Sequence, residues 1–144
     1  MPLNILQAPD DGATFIESHP TRPFLLVHTQ QRSPDWFAHR LGRVTGSVAG
    51  AVWNRTQKGT KTAEWKKLQD RLLAEVLTGI SQDDAFTTWD MQRGIDLEPV
   101  ARAELERRIG FRIQESGFLA HTQLRAGSSL DGHIGDFDAV VEIK

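Results

Sequence analysis

The sequence predicts a single α+β domain in which N-terminal helices are followed by a mostly antiparallel meander of strands. Two observations carry this prediction. Apolar residues recur at helical spacing between residues 33 and 109, and the period changes to two after Gly110. A length of 144 residues suits one domain with one hydrophobic core, and 39% apolar with 25% charged residues is an ordinary globular composition.

The first thirty residues are the least regular part of the chain. Prolines stand at positions 2, 9, 20 and 23, and the short apolar run FLLVH could form a strand or pack as an arm. We therefore expect an N-terminal arm over residues 1–30 and the domain proper over residues 31–144.

Two short helices are predicted next. In RSPDWFAHRL, Ser33 is a candidate N-cap and Pro34 suits the first helical position. In VTGSVAGAVW, Thr45 or Ser47 is expected to cap a small-residue helix whose first N–H groups could bind an anion.

Two longer amphipathic helices follow. The first is predicted from Thr62 to Leu77 and the second from about Thr88 to Ile109, because each apolar pattern ends at a glycine that favours helix termination. Pro99 lies inside the second helix, where a kink or a fresh start is expected.

Composition excludes several kinds of protein. The chain has no cysteine, so disulfides, thiolate catalysis and cysteine zinc sites are absent, and its histidines lack the paired spacing of a zinc site. A net charge of −2 does not by itself indicate a nucleic-acid partner. Because no apolar run approaches the ~20 residues of a membrane span and no signal peptide is visible, we expect a cytoplasmic protein without membrane association.

The final strand, DAVVEIK, carries the pattern most relevant to chemistry. Its alternation places Glu142 and Lys144 on one face, and a turn at Gly135-Asp136 would bring them to a strand that ends near Asp131. Two carboxylates and a lysine suit Mg²⁺-assisted phosphodiester hydrolysis, in which the carboxylates hold the cation and the lysine positions water. On spacing alone, a solvated strand face is the commoner explanation.

Four motifs, in order QRSPDWFAHRLGRVTGS, MQRGIDLEPVARAELERRIGF, QESGFLAH and GSSLDG…VEIK, resemble one family from Gln31 to Lys144. The chain resembles the YqaJ-type viral recombinase exonucleases, the lambda-exonuclease-like branch of the PD-(D/E)XK nucleases. The resemblance implies a restriction-endonuclease-like α/β/α core and a metal-dependent 5′→3′ exonuclease acting on double-stranded DNA in phage-type recombination.

The resemblance also implies a setting. Two Mg²⁺ or Mn²⁺ ions would be the cofactors, and duplex DNA ends would be the substrate. Some members form a ring-shaped homotrimer, and a single-strand annealing protein is a possible partner. The implied location is the cytoplasm of a bacterial host that carries the phage or prophage.

Residues of this sequence match the catalytic motifs of the family. By resemblance, Asp131 and Glu142 are metal-binding carboxylates, Lys144 is the catalytic lysine, and Glu98 completes the metal site. The backbone carbonyl of Ile143 would be a further ligand. Without the resemblance, Glu98 would be interpreted as a solvated helix glutamate.

A second group of matches concerns the DNA phosphate. Arg40 matches an arginine that meets the phosphate near the scissile end, and Ser47 with Thr45 supplies hydroxyls in the same anion pocket. An arginine fork beside hydroxyls and free helix N–H groups is a suitable 5′-phosphate receptor. A surface ion pair is the alternative for Arg40.

The sequence departs from the family pattern in two places. Leu130 replaces the proline usual before the aspartate, which keeps the carboxylate. The family fold continues beyond the lysine with a helix and a strand, so we expect the C-terminal part of the fold to be missing after Lys144. The sequence does not decide whether this chain alone has nuclease activity. The alternatives are an inactive module that binds DNA ends or a partner, and an endonuclease of the same superfold.

Overall fold

The computed structural model describes residues 14–82 and 88–143, and in this part of the chain strands and helices are mixed. The strands are β1 Phe15–Ser18, β2 Phe24–His28, β3 Val44–Thr45, β4 Phe118–His121, β5 Ala126–Ser128, β6 Gly132–Ile134 and β7 Ala139–Val141. The helices are α1 Pro34–Arg40, α2 Ala49–Trp53, α3 Ala63–Thr78 and α4 Trp89–Ile109, with a 3₁₀ turn at Gly46–Val48. No helix within these ranges is long and apolar enough to cross a bilayer.

The main sheet has five strands in the order β1-β2-β4-β5-β3. All pairs are antiparallel except β3 with β5, and β6 and β7 form a separate antiparallel ribbon. The predicted α+β class is therefore confirmed. Two strands also precede the helices, which the sequence analysis did not predict as a whole. They lie within the expected arm, at residues 15–28, and the FLLVH run forms strand β2 of the main sheet.

The core lies where β2 and β4 pair. Val27, Phe118 and Ala120 are buried together, and Trp36 of α1 packs against them. A side chain on Gly127 of the adjacent β5 would collide with the Phe118 ring, so glycine at this position lets the ring lie across the sheet. Alternating apolar residues in FLLVH and FLAH thus join the sheet to α1.

Local sequence signals account for the helix ends. The side chains of Ser33, Thr62 and Thr88 each accept a hydrogen bond from a backbone N–H in the first turn of α1, α3 and α4. Gly79 and Gly110 take left-handed conformations that end α3 and α4.

Helix α4 is continuous across Pro99, so it does not start afresh there. Trp89, at the first helical position, is 73% exposed.

The ribbon β6–β7 is held at its turn by the loop between β1 and β2. Arg22 Nη1 donates to the carbonyl of Phe137 at 2.6 Å, and His19 Nε2 lies 3.1 Å from Asp136 Oδ1. The Phe137 ring is buried and stacks on His133 with the ring centroids 4.0 Å apart. These contacts fix the orientation of the ribbon, whose open end carries the candidate site.

Candidate active site

At the open end of the β6–β7 ribbon, the two acidic residues of the last motif lie on facing segments. Gly132 pairs with Val141, and continuing that register sets Asp131 across from Glu142. The backbone N–H of Ile143 donates to Asp131 Oδ2 at 2.6 Å. The turn predicted at Gly135-Asp136 is therefore present, and it brings Asp131 to the 142–143 segment as expected.

Backbone contacts fix Asp131 from the other side. The amide Nε2 of Gln31 donates at 3.0 Å to the carbonyls of both Ser116 and Leu130. Since Leu130 directly precedes Asp131, this amide ties the aspartate to the segment before β4. Gly132 is also required, because a side chain there would collide with buried Ile113.

A buried pair of polar side chains stabilises the segments next to Asp131. Ser116 Oγ lies 3.0 Å from His133 Nδ1, and both residues are buried. His133 also exchanges two backbone hydrogen bonds with Gln114, at 2.8 and 2.9 Å. The Nδ1 atom of His133 is thus used within the fold.

Glu98 enters the site from helix α4. Ile95, Glu98, Pro99 and Arg102 line a cleft of about 590 Å³, and their i, i+3, i+4, i+7 spacing places them on one face of the helix. The opposite walls are the 28–32 and 115–117 segments and Asp131. The helix and the ribbon therefore present Glu98 and Asp131 to one cleft.

The electrostatics of the cleft reflect this proximity. Burial raises the pKa of the Glu98 carboxyl, the negative charge of Asp131 raises it further, and the Arg102 guanidinium opposes both. Arg102 is hydrogen-bonded to Glu98 and to Glu115, bridging the two carboxylates. The cleft therefore holds the carboxylates of Glu98, Glu115 and Asp131 together with the guanidinium groups of Arg102 and Arg32.

Oxygen donors of this kind suit a hard divalent cation, which prefers carboxylates and carbonyls. In the described ranges, no three acidic or histidine side chains are already gathered as a metal site. Glu142 is exposed and does not line the cleft, and Lys144 lies outside the described residues. The carboxylates of Glu98 and Asp131 are the part of the predicted metal site that faces the cleft.

Two of the predicted phosphate-binding residues are linked to the segment that leads to Asp131, Thr45 directly and Arg40 through Trp36. Thr45 pairs with Gly127 across β3 and β5, and its hydroxyl lies 3.3 Å from that of Ser47. The guanidinium carbon of Arg40 lies 4.1 Å from the centre of the Trp36 ring. The indole Nε1 of Trp36 in turn donates to Ser129 Oγ at 2.9 Å.

The predicted capping role of the two hydroxyls needs correction. Thr45 precedes the 3₁₀ turn but makes no side-chain capping bond, and Val48 is the cap residue of α2. The reason is that Thr45 is buried and its hydroxyl pairs with Ser47, which is exposed. Arg40, for its part, is stacked on an aromatic ring.

Sequence analysis did not single out Gln31, Arg102 or Glu115, although all three line the cleft. Arg102 could have been found, because it lies four residues after Glu98 and so shares its helix face. Nothing local marks Gln31 or Glu115, whose contacts depend on segments distant in the sequence.

Comparisons with known proteins agree with the architecture. The model of the YqaJ-like viral recombinase domain family matches residues 35–144. The crystal structure of the alkaline exonuclease LHK-Exo from Laribacter hongkongensis is 36% identical, with a TM-score of 0.57, over 72% of this chain and 49% of that one. A structure of LHK-Exo in complex with dAMP is 35% identical, with a TM-score of 0.59 and the same coverage.

The chain thus spans about half the length of these solved structures. Among curated proteins, none matches the sequence.

Proposed function

This chain belongs to the family of YqaJ-like viral recombinase domains, and on that premise we propose that it is the nuclease part of a metal-dependent exonuclease that degrades duplex DNA in the 5′→3′ direction. The observation that carries the proposal is the cleft shared by Glu98 and Asp131, with the Ile143 N–H fixing the aspartate. Likeness to the alkaline exonuclease LHK-Exo supports the same activity.

The residues proposed to hold the metal are Asp131, Glu142, Glu98 and the carbonyl of Ile143. Mg²⁺ or Mn²⁺, with two ions as the family resemblance implies, would supply a water nucleophile of lowered pKa and neutralise charge on the phosphate. Asp131 suits this role because its Oδ2 is oriented by a backbone N–H. Glu98 suits it because its helix face is directed into the same cleft.

Lys144 is proposed as the residue that positions the attacking water. By the alternation of the sequence DAVVEIK, Lys144 would share the face of Glu142. An ammonium group beside the scissile phosphate would also stabilise the negative charge that develops there.

Arg40, Ser47 and Thr45 are proposed to receive the 5′-phosphate of the DNA end. Stacking on Trp36 supports this role for Arg40, because it orients the guanidinium, whose N–H edge is the part that binds phosphate. The pairing of β3 with β5 sets the two hydroxyls beside the segment that leads to Asp131, so a bound phosphate would lie near the metal ligands.

The substrate is proposed to be linear duplex DNA with a 5′-phosphate, and the products to be mononucleotides. The presence of dAMP, a mononucleotide, in one LHK-Exo structure supports this choice. We further propose a homotrimeric ring, cooperation with a single-strand annealing protein, and a role in phage-type recombination in the bacterial cytoplasm.

A second candidate function is a DNA-end-binding module without hydrolytic activity. It is favoured by one observation, that within residues 14–82 and 88–143 the acidic side chains are not gathered into a set of three. Both candidates bind duplex ends, so binding alone does not separate them.

Release of mononucleotides separates the candidates. The chain is incubated with 5′-labelled linear duplex DNA in Mg²⁺ or in EDTA, beside covalently closed circular DNA. Mg²⁺-dependent release from the linear substrate alone supports the exonuclease. Retention of the label with tight binding supports the end-binding module, and cutting of the circle indicates an endonuclease.

A further inference from the structure

Arg102 lies in the cleft and is not among the predicted site residues. Its two terminal nitrogens bind different carboxylates, Nη2 that of Glu98 and Nη1 that of Glu115. Its side chain is only 12% exposed, and its third nitrogen, Nε, is buried with no hydrogen-bond partner. The guanidinium is thus committed to these two acids.

The guanidinium of Arg102 lies between acidic residues that could otherwise bind a cation. Glu98 lies one turn earlier on α4, Glu115 belongs to the segment before β4, and Asp131 lies on the same cleft. The negative charges of Asp131 and Glu115 both act unfavourably on the charged form of Glu98, and the positive charge of Arg102 opposes them. In the described part of the chain, Arg102 is the side chain seen to bridge two of these carboxylates.

We propose that Arg102 is a built-in counter-cation that holds Glu98 in the metal-free cleft and competes with the divalent metal for it. This inference rests on the proposed metal site. A metal that binds Glu98 must displace or share the Arg102 hydrogen bond, and it must do so beside a fixed positive charge. Arg102 therefore lowers the affinity of the cleft for the metal. It also reduces the repulsion between the carboxylates when no metal is bound.

The design has a functional consequence for metal occupancy. DNA phosphates bring additional negative charge to the cleft, which offsets the charge of Arg102 and favours metal entry. Tight metal binding is thereby linked to the presence of substrate. With Arg102 present, the metal concentration needed to occupy the site is raised more in the absence of DNA than in its presence.

The test uses Mn²⁺ alone as the probe, without DNA and without turnover. Free Mn²⁺ is measured by electron paramagnetic resonance during titration of the metal-free protein. Arg102→Gln removes the competing charge, and its dissociation constant for Mn²⁺ is expected to fall by about tenfold or more. Its metal-free melting temperature is expected to fall, with a larger rise on adding Mn²⁺ than in the wild type.

Arg107→Gln is the matched control. Arg107 lies on the same helix and forms an ion pair with Glu104 at 2.8 Å, but both side chains are largely exposed and lie outside the cleft. Its Mn²⁺ affinity is expected to stay within about twofold of the wild type, because screened surface charges interact weakly. If Mn²⁺ affinity rose equally in Arg102→Gln and Arg107→Gln, the cause would be a general charge effect, and the proposal would be overturned.

Other outcomes are equally decisive. Unchanged or weaker Mn²⁺ binding in Arg102→Gln would mean that Arg102 supports Glu98 rather than competes for it. If Arg102→Gln does not fold, Arg102→Met replaces it, since it also removes the charge while keeping an unbranched side chain. A rise in Mn²⁺ affinity of at least about threefold is expected in Arg102→Met, and an unchanged affinity overturns the proposal.

Failure of the underlying metal site is recognised separately. Asp131→Asn should abolish Mn²⁺ binding at this site in the otherwise unchanged protein. If Asp131→Asn binds Mn²⁺ as the wild type does, the proposed metal site itself is wrong, whatever Arg102 does.

Discussion

The backbone N–H of Ile143 donates a hydrogen bond of 2.6 Å to Oδ2 of Asp131. One oxygen of the aspartate is thus occupied by the facing segment, and its direction is set by the ribbon rather than by side-chain rotation. This relationship allows the charge and the position of Asp131 to be tested separately.

Asp131→Asn tests the charge. An amide oxygen can still accept the Ile143 N–H, so the fold should persist, but the lost charge weakens the hold on a hard cation. We expect mononucleotide release to fall by about a thousandfold, with the melting temperature changed by only a few degrees. Asp138→Asn, in the exposed turn of the same ribbon, is the control, and comparable losses in both variants would contradict the assignment.

Arg40→Ala tests the phosphate receptor. The variant loses a guanidinium stacked on Trp36, at a cost of about 0.5–1 kcal/mol in folding stability. We expect the preference for 5′-phosphorylated over 5′-hydroxyl duplex ends to fall about tenfold or more, measured as a ratio of initial rates. Arg43→Ala, three residues later, controls for general loss of positive charge. An unchanged ratio in Arg40→Ala would exclude the proposed role.

Gln31→Leu tests the amide that ties Leu130 to Ser116. The substitution keeps the size of the side chain but removes the donor to two carbonyls, at 3.0 Å each. We expect a loss of about 1–3 kcal/mol in unfolding free energy. If the bond orients Asp131, kcat falls more than KM rises; Gln30→Leu, at the neighbouring cleft position, is the control. A change in stability with unchanged kcat would limit Gln31 to a structural role.

Glu75→Leu tests the support beneath the Arg40–Thr45 segment. The carboxylate of buried Glu75 accepts the Gly42 N–H at 2.8 Å and the Gln82 N–H at 3.0 Å. Removing it leaves two N–H groups without their partner, and we expect a loss of about 2–4 kcal/mol in unfolding free energy. Urea denaturation measures it, with exposed Glu64→Leu on the same helix as control. A loss below about 1 kcal/mol would show that the segment is held by other contacts.

The buried His133 predicts a pH dependence of stability. Burial lowers the pKa of its ring below the ordinary 6.5, with the charge of Asp136 opposing this and His28 adding to it. The folded chain then binds fewer protons at this position than the unfolded chain. Stability is fully present above pH 6.5 and falls as the pH drops toward the folded pKa.

Urea denaturation of metal-free protein between pH 8 and pH 5 measures this dependence. His133→Gln should reduce the slope below the ordinary histidine pKa, whereas His39→Gln controls for removal of a histidine elsewhere. Identical slopes in the wild type and in His133→Gln would show that other groups cause the acid sensitivity.

Much of the local structure could be predicted because its causes are local. Ser33, Thr62 and Thr88 cap helices, and Gly79 and Gly110 end them, since caps and left-handed glycines act over a few residues. The ribbon turn at Gly135-Asp136 was equally visible. The placement of Asp131 opposite Glu142 follows directly from that turn.

The remaining features depend on distant contacts. The FLLVH run becomes strand β2 because β4, from the far side of the helices, pairs with it. The bridging role of Arg102 depends on Glu115, and the hold on Leu130 depends on Gln31. Thr45 fails as a helix cap because tertiary packing buries it. Pattern and propensity carry no information on such pairings.

The bond between Arg22 and the carbonyl of Phe137 joins residues 115 positions apart in the chain. Contacts of such long sequence separation carry a large loop-closure entropy and slow the folding of small domains. During synthesis, β2 leaves the ribosome long before its partner β4 and long before the turn that Arg22 clasps. Until β4 is made, the edge of β2 that pairs with it lacks its partner strand, although β1 already covers the other edge, so the β1–β2 hairpin is exposed to aggregation during that interval.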